Sequence, residues 1–204
     1  MTATLSDIEH VTVTVAAAVT AIAAWWGVTA WRRQLRGQTE YEVARIALRA
    51  AYRVRDALGM VRSPFMSSGE QAAALAEIDP VVKESEPSST DARARGLAAA
   101  YQVRWRTVAS ALSDLDLARV EAEAMWGLEA AQCFVDLRSC ARELNAALFM
   151  YLRHEQEQYS LRPRSDFDAQ MERTVFAIGE DDPYAAKVKS AIDVLEAYFR
   201  PKLK

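Results

Sequence analysis

Apolar residues are spaced along this chain in two different ways. From Val11 to Trp31 the sequence reads VTVTVAAAVTAIAAWWGVTAW, 21 residues without a charge. A helix of that length covers about 30 Å, the thickness of a bilayer's hydrocarbon core. Beyond it the apolar residues fall at helical spacing instead. Val43, Ala47, Ala50, Val54, Ala57 and Val61 alternate fours and threes, with Ile46 and Leu58 widening the seam. Tyr41, Leu48 and Tyr52 form a second stripe, and Arg45, Arg49 and Arg53 take a third side, with Glu42 and Asp56 at pairing distance.

No proline precedes Pro64, so the first helix is expected to run on to about Arg62, and a bend at Gly37 would fall at the membrane surface. Residues 64–90 break the pattern with SPFMSSG and DPVVKESEPSS, which predicts a loop-rich crossover with a short helix at Glu70–Ile78. A helix over 91–126 follows, its buried face marked by Leu97, Tyr101, Trp105, Val108, Leu112 and Leu115, with Arg104 and Arg106 pointing away. Gly127 predicts a turn. A helix over 128–158 carries Ala130, Leu137, Leu144 and Tyr151 seven apart, with Cys133, Cys140 and Ala147 between them. Residues 166–178 fit a short helix or a loop. The last helix, 183–200, is punctuated by Asp182 as N-cap, Pro183 at its first position and Pro201 past its end, and carries Val188, Ile192, Leu195 and Phe199. The expected fold is all-α: one N-terminal transmembrane helix (11–31) after a short extracytoplasmic segment (1–10), running into a cytoplasmic antiparallel bundle of three to four helices over 32–204.

Composition supports helices over sheets. There are 38 alanines and one asparagine, with only 7 Gly and 6 Pro, too little turn chemistry for a sandwich or barrel. Arginine outnumbers lysine 20 to 5, a usage that points to a GC-rich bacterium.

Charge sets a direction. Residues 1–31 hold Asp7 and Glu9 and no Lys or Arg, giving -2. Residues 32–62 hold eight Arg against Glu40, Glu42 and Asp56, giving +5, and the remainder holds 17 basic and 23 acidic residues, giving -6. Trp25, Trp26 and Trp31 crowd the basic end of the uncharged stretch, and Arg32, Arg33 and Arg36 follow, as at a membrane interface on the cytoplasmic side. An acidic start fits an uncleaved span better than a signal peptide. Ala16, Thr20, Ala24 and Gly27 line one side of the span as a candidate helix-association face.

Chemistry is sparse. Cys133 and Cys140, about 10 Å apart along one helix, read as core residues. His154 lacks a second histidine at metal-binding spacing, His10 stands alone, and no Gly-rich phosphate loop or nucleophile motif occurs. Asp114 and Asp116 lie two apart, on different helix faces; Asp166 with Asp168 is a further acidic pair, and Glu180 and Asp182 serve the last helix's N-terminus. Asn145 is a candidate register residue beside the seam. No cofactor, metal or enzymatic activity is expected, and the mild acidity of the chain makes nucleic acid an unfavoured partner. The expectation is a bacterial inner-membrane protein, N-terminus outside and C-terminus cytoplasmic. It would act by protein–protein binding or self-association, with Arg45, Arg49 and Arg53 as a face for an acidic partner. The alternative is a membrane-tethered effector or sensor of a stress or phage-defence system, working through oligomerisation of its membrane helix.

Overall fold

Helix-forming sequence uninterrupted by proline gives one long helix, α1 (Thr2–Val61), in the computed structural model of the chain. It passes Gly37 and Gly59 unbroken. The description covers residues 2–78, 90–157, 166–177 and 181–203, and omits the side chains of 2–19, 21–23, 30, 90–93, 155–157 and 166–168. The path expected for 79–89 and the side chain of Ala16 therefore lie outside the described residues. Two compact units divide the chain, Met1–Glu42 and Val43–Lys204. Among the described residues no helix is long and apolar enough to cross a membrane. Most side chains of the 11–31 stretch fall outside them.

The second unit is all-α among its described residues. Past Val43, α1 is followed by α2 (Ser68–Ile78), α3 (Thr90–Trp126), α4 (Leu128–Gln132), α5 (Val135–Glu157), α6 (Asp166–Val175) and α7 (Pro183–Phe199), closed by a 3-10 turn over Arg200–Leu203. The spaced residues of α1 do form its seam: Ala47, Ala50, Val54, Ala57, Leu58 and Val61 are buried, and Val43 and Ile46 pack at the edge. Alanines dominate this face because a side chain of one carbon lets helices close on each other. Tyr101, Val108 and Leu115 of α3 are buried, with Leu97, Trp105 and Leu112 packed against the core. Leu58, Leu115, Leu137, Leu144, Leu195, Phe134 and Phe199 are essentially sealed from solvent. Each contributes about 1.5–3 kcal/mol, more than the surface ion pairs around them.

Three local solutions differ from, or add to, the sequence pattern. The helix expected over 128–158 is two helices, because the chain tightens at Cys133 and Phe134, where the Phe134 amide donates to Ala131 O at 3.3 Å. Phe134 thereby enters the core against Phe199, ring centroids 5.5 Å apart, while the seven-residue seam through Ala130, Leu137 and Leu144 survives the break. Gly127, between α3 and α4, has φ 79° and ψ -169°, a region essentially closed to residues with a Cβ. At Gly96, a Cβ would lie 3.3 Å from that of Gln71, so glycine lets α2 lie close on α3.

Candidate functional site

The residues expected at a membrane interface lie in the first unit and are exposed. Trp25, Trp26 and Trp31 have relative exposures of 71%, 72% and 61%, beside exposed Val28 and Leu35. Arg32, Arg33 and Arg36 are exposed too. Arg36 Nε donates to Glu40 Oε1 at 2.9 Å, one helical turn on. Arg32 and Arg33 have no carboxylate partner among the described residues. On the expected association face, Thr20, Ala24 and Gly27 are exposed, and a Cβ at Gly27 would meet nothing within 4 Å.

The proposed acidic-partner face lies on α1 within the second unit. Arg45, Arg49 and Arg53 are all exposed. Arg53 departs from expectation: it reaches Asp114 on α3, while Asp56 is held by its neighbour Arg55 at 2.8 Å. Asp114 sits across the α1–α3 boundary within reach of Arg53, which leaves Asp56 to Arg55. Asp116 pairs instead with Arg138 at 2.7 Å, so the two aspartates serve different partners.

Sequence reasoning missed a densely bonded, buried polar group of the second unit. Arg62, the last of the eight arginines in residues 32–62, is only 4% exposed. Its Nη1 donates to Asp182 Oδ2 at 2.6 Å and its Nη2 to Asp182 Oδ1 at 3.1 Å. Three more bonds go to the carbonyls of Thr174, Arg173 and Phe176, at 2.7, 3.0 and 2.9 Å. Its guanidinium also lies over the Tyr184 ring, 4.5 Å from the centroid. Asp182 meanwhile caps α7, its Oδ1 accepting from the Tyr184 and Ala185 amides, each at 3.0 Å. Burial alone would raise the Asp182 pKa. The Arg62 hydrogen bond, the two amides and the nearby positive charge overcome that and leave it below the ordinary value. A signal was present: Arg62 is one turn past Leu58 on the seam, at the C-terminal end of α1.

Arg104 is a second correction. Expected to point away from the buried face of α3, it is only 11% exposed, and its Nε and Nη2 grip Glu70 at 2.6 and 3.0 Å. It also donates to the carbonyls of Ser63 and Phe65, at 3.0 and 2.8 Å. The turn after α1 leaves those carbonyls without helical partners, and a long planar donor set satisfies both.

Among the described residues the remaining candidates are not brought together. Cys133 is half-buried and Cys140 buried, both free, and burial pushes each thiol's pKa up, away from the reactive thiolate. Burial likewise raises the Tyr184 hydroxyl, which donates to Cys140 O at 2.8 Å. His154 is half-buried, Asn145 is exposed, and no group of three or more His, Cys, Asp or Glu that could hold a metal occurs among the described residues. The side chains of His10, Asp166, Asp168 and Glu180 lie outside the described residues. Comparison with protein-family models, curated protein sequences and solved structures gives no match to this chain.

Proposed function

We propose that this chain is a single-pass, membrane-anchored helical protein of the bacterial inner membrane that acts by binding, as an interaction or scaffold module. The carrying observation is the order of features along α1. An uncharged stretch long enough for a bilayer ends in three exposed tryptophans, and a run of arginines follows at once. In water, three exposed indoles so close together are costly, since each could bury some 150–250 Å². At a membrane surface the ring is apolar on its body and hydrogen-bonded at its N–H, so the same exposure becomes favourable. The charge asymmetry supports an N-terminus outside and a C-terminus in the cytoplasm. In the second unit the most buried polar side chains, Arg62 and Arg104, are engaged in closing the bundle, and exposed charged side chains remain for a partner. Its partner is a second copy or another protein, with the exposed Arg45, Arg49 and Arg53 offering a basic face.

Extraction of membranes from cells expressing the full chain tests the anchor. At alkaline pH in carbonate the protein should stay with the membrane pellet. Release into the supernatant would remove the anchor from the reading.

A further inference from the structure

We propose that Arg32 and Arg33 form a pair that selects anionic phospholipids in the leaflet next to the bundle-proximal end of the uncharged stretch; this rests on the membrane reading above. Of the three arginines that follow the tryptophans, only Arg36 has a carboxylate among the described residues, Glu40, at 2.9 Å. Within one helical turn of Arg32 and Arg33 in either direction the sequence offers no acid, only Val28, Thr29, Ala30, Leu35, Arg36 and Gly37 among its spaced neighbours. Two exposed guanidiniums without a counter-ion are therefore available to an external anion.

Their placement under the tryptophans specifies which anion. Trp25 and Arg32, and Trp26 and Arg33, are seven residues apart, so each arginine lies nearly in line with an indole, about 10 Å further along the helix. Side chains on a helix all tilt toward its N-terminus, so ring and guanidinium shift together and the rise along the helix sets their separation. The resulting span, ring at one level and fork-shaped cation several ångströms beyond, matches a lipid whose glycerol region meets the ring and whose phosphate meets the arginine. A guanidinium binds phosphate in bidentate fashion, and a headgroup with net negative charge gives it an attraction that a zwitterionic one cancels. Arg36, already neutralised by Glu40, adds less.

The test uses the full chain reconstituted into vesicles of equal parts phosphatidylcholine and phosphatidylglycerol, with bromine on the acyl chains of one lipid or the other. Trp105 and Trp126 add the same background to both samples. Quenching of tryptophan fluorescence should be stronger when the bromine is on phosphatidylglycerol. The preference should correspond to about fivefold in relative association per arginine, from about 1 kcal/mol each. R32Q/R33Q should bring the two samples together, and R36Q should leave most of the difference. Equal quenching of the unaltered protein by both lipids overturns the lipid selection and leaves the anchor standing. A preference that survives R32Q/R33Q undiminished overturns the assignment to these residues. Absence of quenching in either sample overturns the anchor along with it.

Discussion

Arginine and tryptophan occur in both units of this chain and are used in opposite ways. In the second unit Trp105 and Trp126 pack against the core, and Arg62 and Arg104 are sunk into networks that satisfy carbonyls and carboxylates. In the first, Trp25, Trp26 and Trp31 stand 61–72% exposed, and Arg32 and Arg33 face no carboxylate among the described residues. The same side chains are internal fasteners in one unit and unmet donors and rings in the other. Where a bundle has closed on itself, such residues stabilise it. Where they remain unmet, they point to a surroundings that the chain does not itself provide.

The largest way to sharpen that contrast is to remove the most embedded fastener. Arg62→Ala should destabilise the second unit by about 3–5 kcal/mol in denaturant unfolding, because Asp182 and three carbonyls lose their donor inside the fold. Trp26→Ala should shift the same transition by less than about 0.5 kcal/mol, as expected of an exposed residue that fastens nothing. A comparable loss from both would erase the contrast. The Arg62 effect carries a pH signature. The Asp182 pKa lies below its ordinary 3.8 when folded, so its contribution is complete above that value. It is lost as pH falls through the ordinary value toward the lower folded one. The gap between native protein and Arg62→Ala should accordingly narrow below about pH 4, and widening there would contradict the assignment.

Why Arg62 escaped sequence reasoning is instructive. Periodicity reports which face of a helix is apolar, and it located the α1, α3 and α7 faces and the seam of α5 because burial there is a property of single elements. Asp182 as the α7 cap was equally legible, since Asp-Pro chemistry is local. What joins Arg62 to Asp182 is a contact 120 residues apart in sequence. Nothing local to VRSPF announces it beyond a charge at a seam position. Arg104 failed for a related reason: its partners are carbonyls of the turn at 63–65, and backbone acceptors have no sequence signature. The break at Cys133–Phe134 was hidden because the seven-residue repeat continues across it. The expectation of an interface in the first unit, by contrast, rests on composition and order alone.

Intermediate effects test whether the second unit closes as described. Gly127→Ala should cost about 1–3 kcal/mol, since φ 79° with ψ -169° admits almost no residue with a Cβ. Unchanged thermal stability would mean that the α3–α4 corner can be rebuilt without strain. Arg104→Ala should cost about 1–2 kcal/mol, mostly from the part-buried carbonyl of Ser63, because Glu70, 37% exposed, and the exposed Phe65 carbonyl recover water. Hydrogen exchange should localise the loss to the α1–α2 turn and α2. Uniform loss of protection across α5 and α7 would show instead that Arg104 supports the whole bundle.

The smallest effect concerns Arg53, where the two uses of arginine meet. It touches Asp114, yet the side chains are 58% and 43% exposed, so water screens the pair and competes for both partners. A double-mutant cycle over Arg53→Ala and Asp114→Ala should give a coupling of about 0–1 kcal/mol, falling further in high salt. A coupling well above that would make Arg53 a fastener like Arg62 and withdraw it from the basic face. A small one leaves its guanidinium free to change partners, which is what an acidic ligand docking beside Arg49 would require.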